Sequence, residues 1–344
     1  MVNIILINMD PFTQGIVGVT ASQSISQKKH FLIASAIGLL AGIAPDIDIF
    51  ITSDKDPLLF LEFHRHFTHS LFFIPFGSLI CAFVFYYLFA KYYNLSFRYT
   101  YFYSFIGYAT HGIIDAFTSY GTQLYWPLSN ERVAWNTISV IDPLFSIPVA
   151  MFVFIALLTK KKLFTFTALF WISLYQFTAF HQKQRAETIM DEYADMRYKN
   201  IENVVAKPSF GNIIVWKVIH TTKDEYHINA VRLGIDTKII PGETIKKLNL
   251  ENDFKWLDIE SQQGKDLERF RWFSNNYLGL DKNNRNIVYD VRFSSLPNQV
   301  EGLWGIKLDE NRNYNEHIEY ITNHNRDLDR FIKLKDMIFG NYEN

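Results

Sequence analysis

The sequence predicts a multi-span α-helical membrane domain, about five crossing helices plus an N-terminal helix at the membrane edge, followed by a small soluble α+β domain with an antiparallel sheet. Three observations point there. Apolar stretches of membrane length recur up to about Phe180, and charge becomes dense from Gln182 onward. His and Asp residues sit at the ends of those stretches, where a hydrocarbon slab makes ionisable groups costly to keep. In a chain of 344 residues, 49% hydrophobic and 17% aromatic, the change in composition separates residues 1–182 from residues 183–344.

At the N-terminus, residues 2–7 are apolar but lack a basic n-region and are followed by Asp10 and Pro11, so no cleavable signal peptide is expected. Residues 10–26 read as a helix at the membrane edge, with Asp10 as N-cap and Pro11 in the first turn. Five stretches approach the roughly 20 residues a crossing helix needs: 31–51, 70–90, 99–119, 138–158 and 163–180. Residues 70–90 contain no charged residue and carry Phe, Tyr and Leu on every side, whereas a soluble surface helix shows a polar stripe.

Basic residues in the connections set an expected orientation. Lys28, Lys29, Lys91, Arg98, Lys160, Lys161 and Lys162 fall on one side, and only Lys55, Arg65 and Arg132 on the other. The first side is expected to be cytoplasmic. The polar ends of the spans then gather on the extracytoplasmic side, together with the C-terminal domain.

Beyond the last span, residues 184–200 have Ile189, Tyr193 and Met196 at helical spacing and read as a continuing helix. Residues 212–220, 226–233, 286–293 and 300–308 read as strands, with turns at 281–284 and 296–298. In 286–293, alternation of Ile287, Tyr289, Val291 and Phe293 with mainly polar neighbours predicts one buried face. His220, His227, His317 and His324 lack ligand spacing and are expected at the surface.

A net charge of -1 and the lack of a Lys/Arg stripe argue against a nucleic-acid partner. The single cysteine, Cys81, excludes an intrachain disulfide.

The chemistry concentrates in three motifs. Pro45-Asp46-Ile47-Asp48 follows Ala34, Gly38 and Gly42, spaced four apart so that helices can approach closely. In an extended turn after Pro45, Asp46 and Asp48 would project to one side and favour a cation; two solvated aspartates in a capping turn is the competing reading. His64, His66 and His69 lie in a loop with Arg65, Thr68 and Ser70, and the hydroxyls are suited to orienting imidazole ligands. Histidines merely solvated in the loop is the alternative. His111 and Asp115, four apart, share a helix face inside an apolar span; a metal-free hydrogen bond between helices is the competitor. Asp142-Pro143 opens the fourth span, Trp126 and Trp135 fit an interfacial belt, and Tyr120-Gly121-Thr122 reads as a turn. Oxygen and imidazole ligands without thiolate suit Zn²⁺, Mn²⁺ or Fe²⁺. Six candidate ligands allow one or two ions.

With Met9-Asp10-Pro11-Phe12-Thr13, Pro45-Asp46-Ile47-Asp48, His64-Arg65, Thr68-His69-Ser70, His111-x-x-x-Asp115, Ser119-Tyr120-Gly121-Thr122 and Ile141-Asp142-Pro143 in this order, the chain resembles the YdjM-like family. Its members are described as bacterial inner-membrane hydrolases expected to depend on metal. The resemblance is strong over residues 9 to about 150 and extends loosely to Tyr289-Asp290-Val291-Arg292-Phe293. Two positions depart from the pattern: Gln14 stands where the family usually has His, and His66 where it usually has Gly.

The expected function is a membrane-embedded, metal-dependent hydrolase attacking a lipid-type ester or phosphoester. Asp46, Asp48, His64, His69, His111 and Asp115 would hold the metal. Arg65 would neutralise an anionic substrate group, Thr68 and Ser70 would orient ligands, and Asp10, Gln14, His66 and Asp142 are candidates for support. The rival is a membrane scaffold or sensor with a structural metal; ion transport would need a continuous polar path, whereas these residues cluster at one end of the spans.

Overall fold

The computed structural model describes residues 10–323 and 328–342, so residues 2–7 and His324 lie outside the described residues. The chain divides into two compact units. The first contains residues up to Ile51, Phe63–Phe180 and Phe210–Asn212; the second contains Thr52–Glu62, His181–Ser209 and residues from Ile213 onward.

The first unit is helical: α1 Pro11–Ile25, α2 Phe31–Ile43, α4 Ile74–Leu88, α5 Phe97–Phe117 and α6 Pro143–Thr159; the short α3 Leu59–Phe63 falls almost wholly in the second. Helix α7, Lys162–Asp195, is continuous across the composition change and ends before Asn200. Two helical segments, Lys28–Phe50 and Lys162–Asp195, are long and apolar enough to cross a bilayer, and Leu59–His69 with Ile74–Leu88 qualifies as a pair bent by 85°. The expected straight span over 70–90 therefore begins only at Ile74. α5 has the length of a span, but its polar residues keep it outside that set.

Helix α1 starts as expected: Pro11 occupies its first turn and Asp10 Oδ1 accepts from Phe12 N at 3.1 Å. Its expected position at the membrane edge is corrected. From Thr13 to Thr20 every residue is buried, and the helix packs on α2, α5 and α6. The small residues make this possible: a Cβ on Gly18 would lie 2.3 Å from the Gly38 carbonyl, so α1 and α2 touch backbone to backbone.

Outward faces carry the apolar side chains. Leu144, Ile147, Met151, Phe154 and Leu158 recur along the exposed side of α6, and Leu163, Phe166, Phe170, Leu174 and Phe177 along that of α7. Thr13, Gln14, Gln23, Ser35, Ser104 and Thr165 are buried. This inversion of the soluble pattern is what a lipid environment selects.

The second unit is antiparallel throughout. One sheet has the order β1 (Asn203–Pro208), β2 (Val215–Thr221), β3 (Glu225–Leu233), β4 (Thr237–Ile240), with β5 (Thr244–Lys246) also on β3. After α8 (Leu250–Asp253) and α9 (Gln262–Phe273), a second sheet runs β6 (Leu278–Leu280), β7 (Ile287–Asp290), β8 (Trp304–Lys307), β9 (Glu319–Thr322), and α10 (Leu328–Phe339) follows. The four expected strands are β2, β3, β7 and β8; of the others, β4, β5, β6 and β9 have only three or four residues, whereas β1 has six and ends in Pro208.

The one-faced reading of β7 is corrected. Val288, Tyr289, Asp290, Val291 and Arg292 are all buried, so both faces are covered. Asp290 is tolerated there because Arg292 Nη2 and Nε approach its two oxygens at 2.7 and 2.9 Å and Trp304 Nε1 donates at 3.1 Å. The surface reading of the histidines fails for His220, while His227 and His317 are half-buried. His220 is fully buried with Nε2 2.9 Å from Met190 O, His227 stacks on Tyr198 at 4.0 Å, and His317 Nδ1 lies 2.8 Å from Asp266 Oδ2. Asp56, Asp266 and His317 fall within ligand reach of one another, but Arg269 already bridges Asp56 and Asp266 at 2.9 and 3.1 Å. That group is a closed ion-pair network.

Lys207 and Lys217 are directly opposed across β1 and β2, and both are buried. Lys217 Nζ donates to Ser294 Oγ at 2.7 Å and Gln299 O at 2.9 Å. Burial pushes the Lys217 amine down to about 7 and also lowers that of Lys207. Between pH 7 and 9 the unfolded chain therefore holds a proton that folded Lys217 has lost, and this group's contribution to stability rises with pH. The melting-temperature difference between wild type and Lys217→Met is expected to shift in favour of wild type from pH 7 to pH 9; a difference that is flat or moves the other way would contradict the burial argument.

Candidate metal centre

Four side chains from three places in the first unit converge on one point: Asp46 after α2, His69 before α4, and His111 and Asp115 on α5. All four are buried. His69 Nε2 lies 2.9 Å from His111 Nε2, 3.3 Å from Asp46 Oδ1 and 3.1 Å from Asp115 Oδ2. His111 Nε2 is 3.3 Å from Asp46 Oδ1 and 3.6 Å from Asp115 Oδ2. Ligands about 2.0–2.1 Å from a tetrahedral zinc are about 3.3 Å apart from one another, so these separations fit a divalent ion.

The outer nitrogens strengthen the fit. His111 Nδ1 faces the Gly42 carbonyl at 2.6 Å, an acceptor only, so Nδ1 carries the hydrogen and Nε2 presents a lone pair. His69 Nδ1 faces Asp48 Oδ2 at 3.1 Å and takes the same tautomer. Two lone pairs and two carboxylate oxygens directed at a common point repel unless a cation or a shared proton lies between them. The simple hydrogen bond between His111 and Asp115 is not made, since 3.6 Å exceeds hydrogen-bond range.

Local backbone geometry explains the arrangement. Ala44–Phe50 is a 3₁₀ helix with Pro45 in its first turn, not an extended turn. Residues two apart on such a helix diverge by about 120°. Asp46 therefore faces the focus while Asp48 stands behind it. Asp48 Oδ1 is 2.9 Å from His64 Nδ1, and Oδ2 accepts from Arg65 N at 3.0 Å and Thr68 Oγ1 at 2.7 Å. His69 reaches α5 because residue 112 is glycine: a Cβ there would sit 2.1 Å from the His69 carbonyl.

The remaining expected residues separate clearly. Gln14 Nε2 donates to Asp115 Oδ1 at 2.6 Å, so this departure from the family pattern supports a carboxylate. Arg65 is fully buried, with φ of 61° and Nε 3.2 Å from Asp115 Oδ2. Thr68 holds Asp48. Ser70 is not part of the cluster: its hydroxyl donates to Phe67 O and accepts from Phe73 N, ordering the turn into α4. His66 packs among Phe63, Phe67 and Trp126 and belongs to none of the ligand groups among the described residues. Asp142 caps α6 through Phe145 N and accepts from Tyr175 OH at 2.7 Å. Asp10 caps α1 and accepts from Thr13 Oγ1 at 3.3 Å. His64 and Asp48 form a second group with Asp46, and His64 Nε2 is buried without a hydrogen-bond partner among the described residues. From the sequence, Gly42 counted only as one of the small residues that let helices approach and Arg132 only as a loop charge, and Gly112 had no role.

Apolar-faced helices enclosing a buried His and Asp cluster able to take a metal define a membrane protein with a candidate metal centre. The chain belongs to the YdjM inner membrane protein family, which it matches over residues 9–186. It is 26% identical over 211 residues to a Bacillus subtilis (strain 168) protein called uncharacterized protein YfhP, across 58% of this chain and 60% of that protein. The chain thus spans less than two thirds of the length of this curated relative. No solved structure matches.

Gly112→Ala is expected to push His69 away from α5 and lower the stability of the helical unit by about 1–3 kcal/mol, the usual cost of overpacking. Thermal unfolding in detergent measures this, and a wild-type midpoint would show that the contact is not tight.

Proposed function

We propose that the protein is a multi-pass, membrane-embedded, metal-dependent hydrolase acting on a lipid-type ester or phosphoester. The observation that carries the reading is the convergence of Asp46 Oδ1, His69 Nε2, His111 Nε2 and Asp115 Oδ2 at separations suited to a divalent ion, with zinc the best match to the donor set and manganese or iron as alternatives. When bound, such an ion supplies Lewis acidity and a more acidic water.

The chain's own groups would divide the work. Asp46, His69 and His111 form a three-residue ligand set. Asp48 and the Gly42 carbonyl hold the two imidazoles in the required tautomers. Asp115 is already engaged by Gln14 and faces Arg65, so it depends least on a metal and stays an anionic acceptor that would orient the attacking water. The site is assigned to the extracytoplasmic end of the bundle. Supporting that orientation, Arg65 and Arg132, two of the three basic residues in the outer connections, are buried and do not act as free loop charges, which leaves the basic bias on the other side.

A second reading, a non-catalytic scaffold or sensor, is favoured by the presence of four protein side chains at the focus, the pattern of closed structural sites. Two variants separate the readings. Detergent-purified wild type is expected to carry zinc or manganese at one or more ions per chain by elemental analysis, and His111→Ala to lose it. Asp115→Asn is expected to retain the metal while hydrolysis falls about 10²-fold or more; loss of the metal from Asp115→Asn would favour the scaffold. A metal-free, well-folded wild type would overturn both.

A further inference from the structure

A set of buried polar groups beside the candidate centre is used neither by the fold nor by the metal ligands. Ser119 Oγ, Thr122 Oγ1, and both Nε2 and Oε1 of Gln123 have no hydrogen-bond partner among the described residues, and neither does Arg65 Nη2. The residues are 6%, 0%, 1% and 0% exposed respectively, and an unmet polar group at such depth is costly. Their backbone is firmly held. Gln123 N donates to Arg65 O at 2.9 Å, and Thr122 exchanges hydrogen bonds with Val133 at 3.0 and 2.8 Å. Arg132 Nη2 donates to Gly121 O at 2.9 Å. The Tyr120 ring has the Arg65 guanidinium 4.9 Å from its centroid and that of Arg132 5.3 Å away.

We infer that Arg65 and the loop from Ser119 to Gln123 recognise a phosphoryl group beside the centre, so that the substrate is a phosphoester and not a carboxylic ester. This deepens the hydrolase reading and rests on it. The unused inventory is rich in donors: a guanidinium N–H, two hydroxyls and a carboxamide NH₂. The carbonyl oxygen of a carboxylic ester has two lone pairs and no charge, and would leave several of these donors unmet. A phosphoryl group presents two or three oxygens that share negative charge and accept from donors of this kind through charge-assisted bonds, for which guanidinium geometry is well matched. Arg65 reaches both sides of the arrangement. Its Nε lies 3.2 Å from Asp115 Oδ2 and its carbonyl accepts from Gln123 N, so recognition and chemistry share one rigid residue.

The test uses full-length protein in detergent, metal content determined for each sample, titrated with inorganic phosphate by calorimetry. Wild type is expected to bind phosphate, and the near-isosteric double variant Thr122→Val, Gln123→Leu to bind it at least 10-fold more weakly with unchanged metal content. Ser119→Ala, a smaller change read in the same way, covers the case in which the double variant fails to fold, and is expected to weaken binding at least 3-fold. Equal phosphate affinity in wild type and folded variants, or a metal-replete wild type that binds no phosphate, would overturn this inference while leaving the hydrolase reading intact. A metal-free wild type would overturn both.

Discussion

Two imidazole nitrogens 2.9 Å apart, flanked by two carboxylates inside an apolar bundle, are the arrangement around which the first unit is organised. Without a shared proton or a cation such a group is unstable: lone pairs and negative charges meet where no water can screen them. Several neighbouring groups serve to hold it. The Gly42 carbonyl and Asp48 fix the tautomers, Gln14 and Arg65 take up Asp115, and Thr68 secures Asp48. The glycines matter for the same reason, because a side chain at 112 would occupy the space in which the His69 backbone lies.

The distribution of polarity follows from this centre. In α6 and α7 the large apolar residues face outward, while α1, central and not peripheral, carries Gln14, Thr20, Ser22 and Gln23 inside. Buried polar groups in such a bundle must find partners within it. Gln23 does so through Ser35 at 3.1 Å and Thr165 at 2.9 Å. Gln14, Ser22 and Gln23 are thus spent on joining helices, while Thr20 Oγ1 donates to Ile16 O within α1.

The second unit handles buried charge by another route. Asp290 and Arg292 neutralise each other in a covered strand with near-parallel donor geometry, while Lys217, facing Lys207 across the ladder, is pushed towards its neutral form. Both solutions were hidden from a period-two reading of β7 and of the strands around it, because alternation assumes that one sheet face meets water.

Several features were legible from local chemistry alone. Asp10 and Pro11 start a helix wherever they fall, the lack of charge over residues 70–90 marks an apolar helix, and the spacing of His111 and Asp115 puts both on one helical face. The ordered motifs also sufficed to recognise the family. Which residues share the focus was decided only by tertiary structure. Asp46 and Asp48 are equivalent in sequence, yet a 3₁₀ turn aims one at the histidines and sets the other behind them. His64, His66 and His69 look alike in their loop, yet only His69 meets α5, because residue 112 there is glycine. Ligand sets depend on where side chains from distant segments meet, and packing between helices settles that where composition and spacing do not.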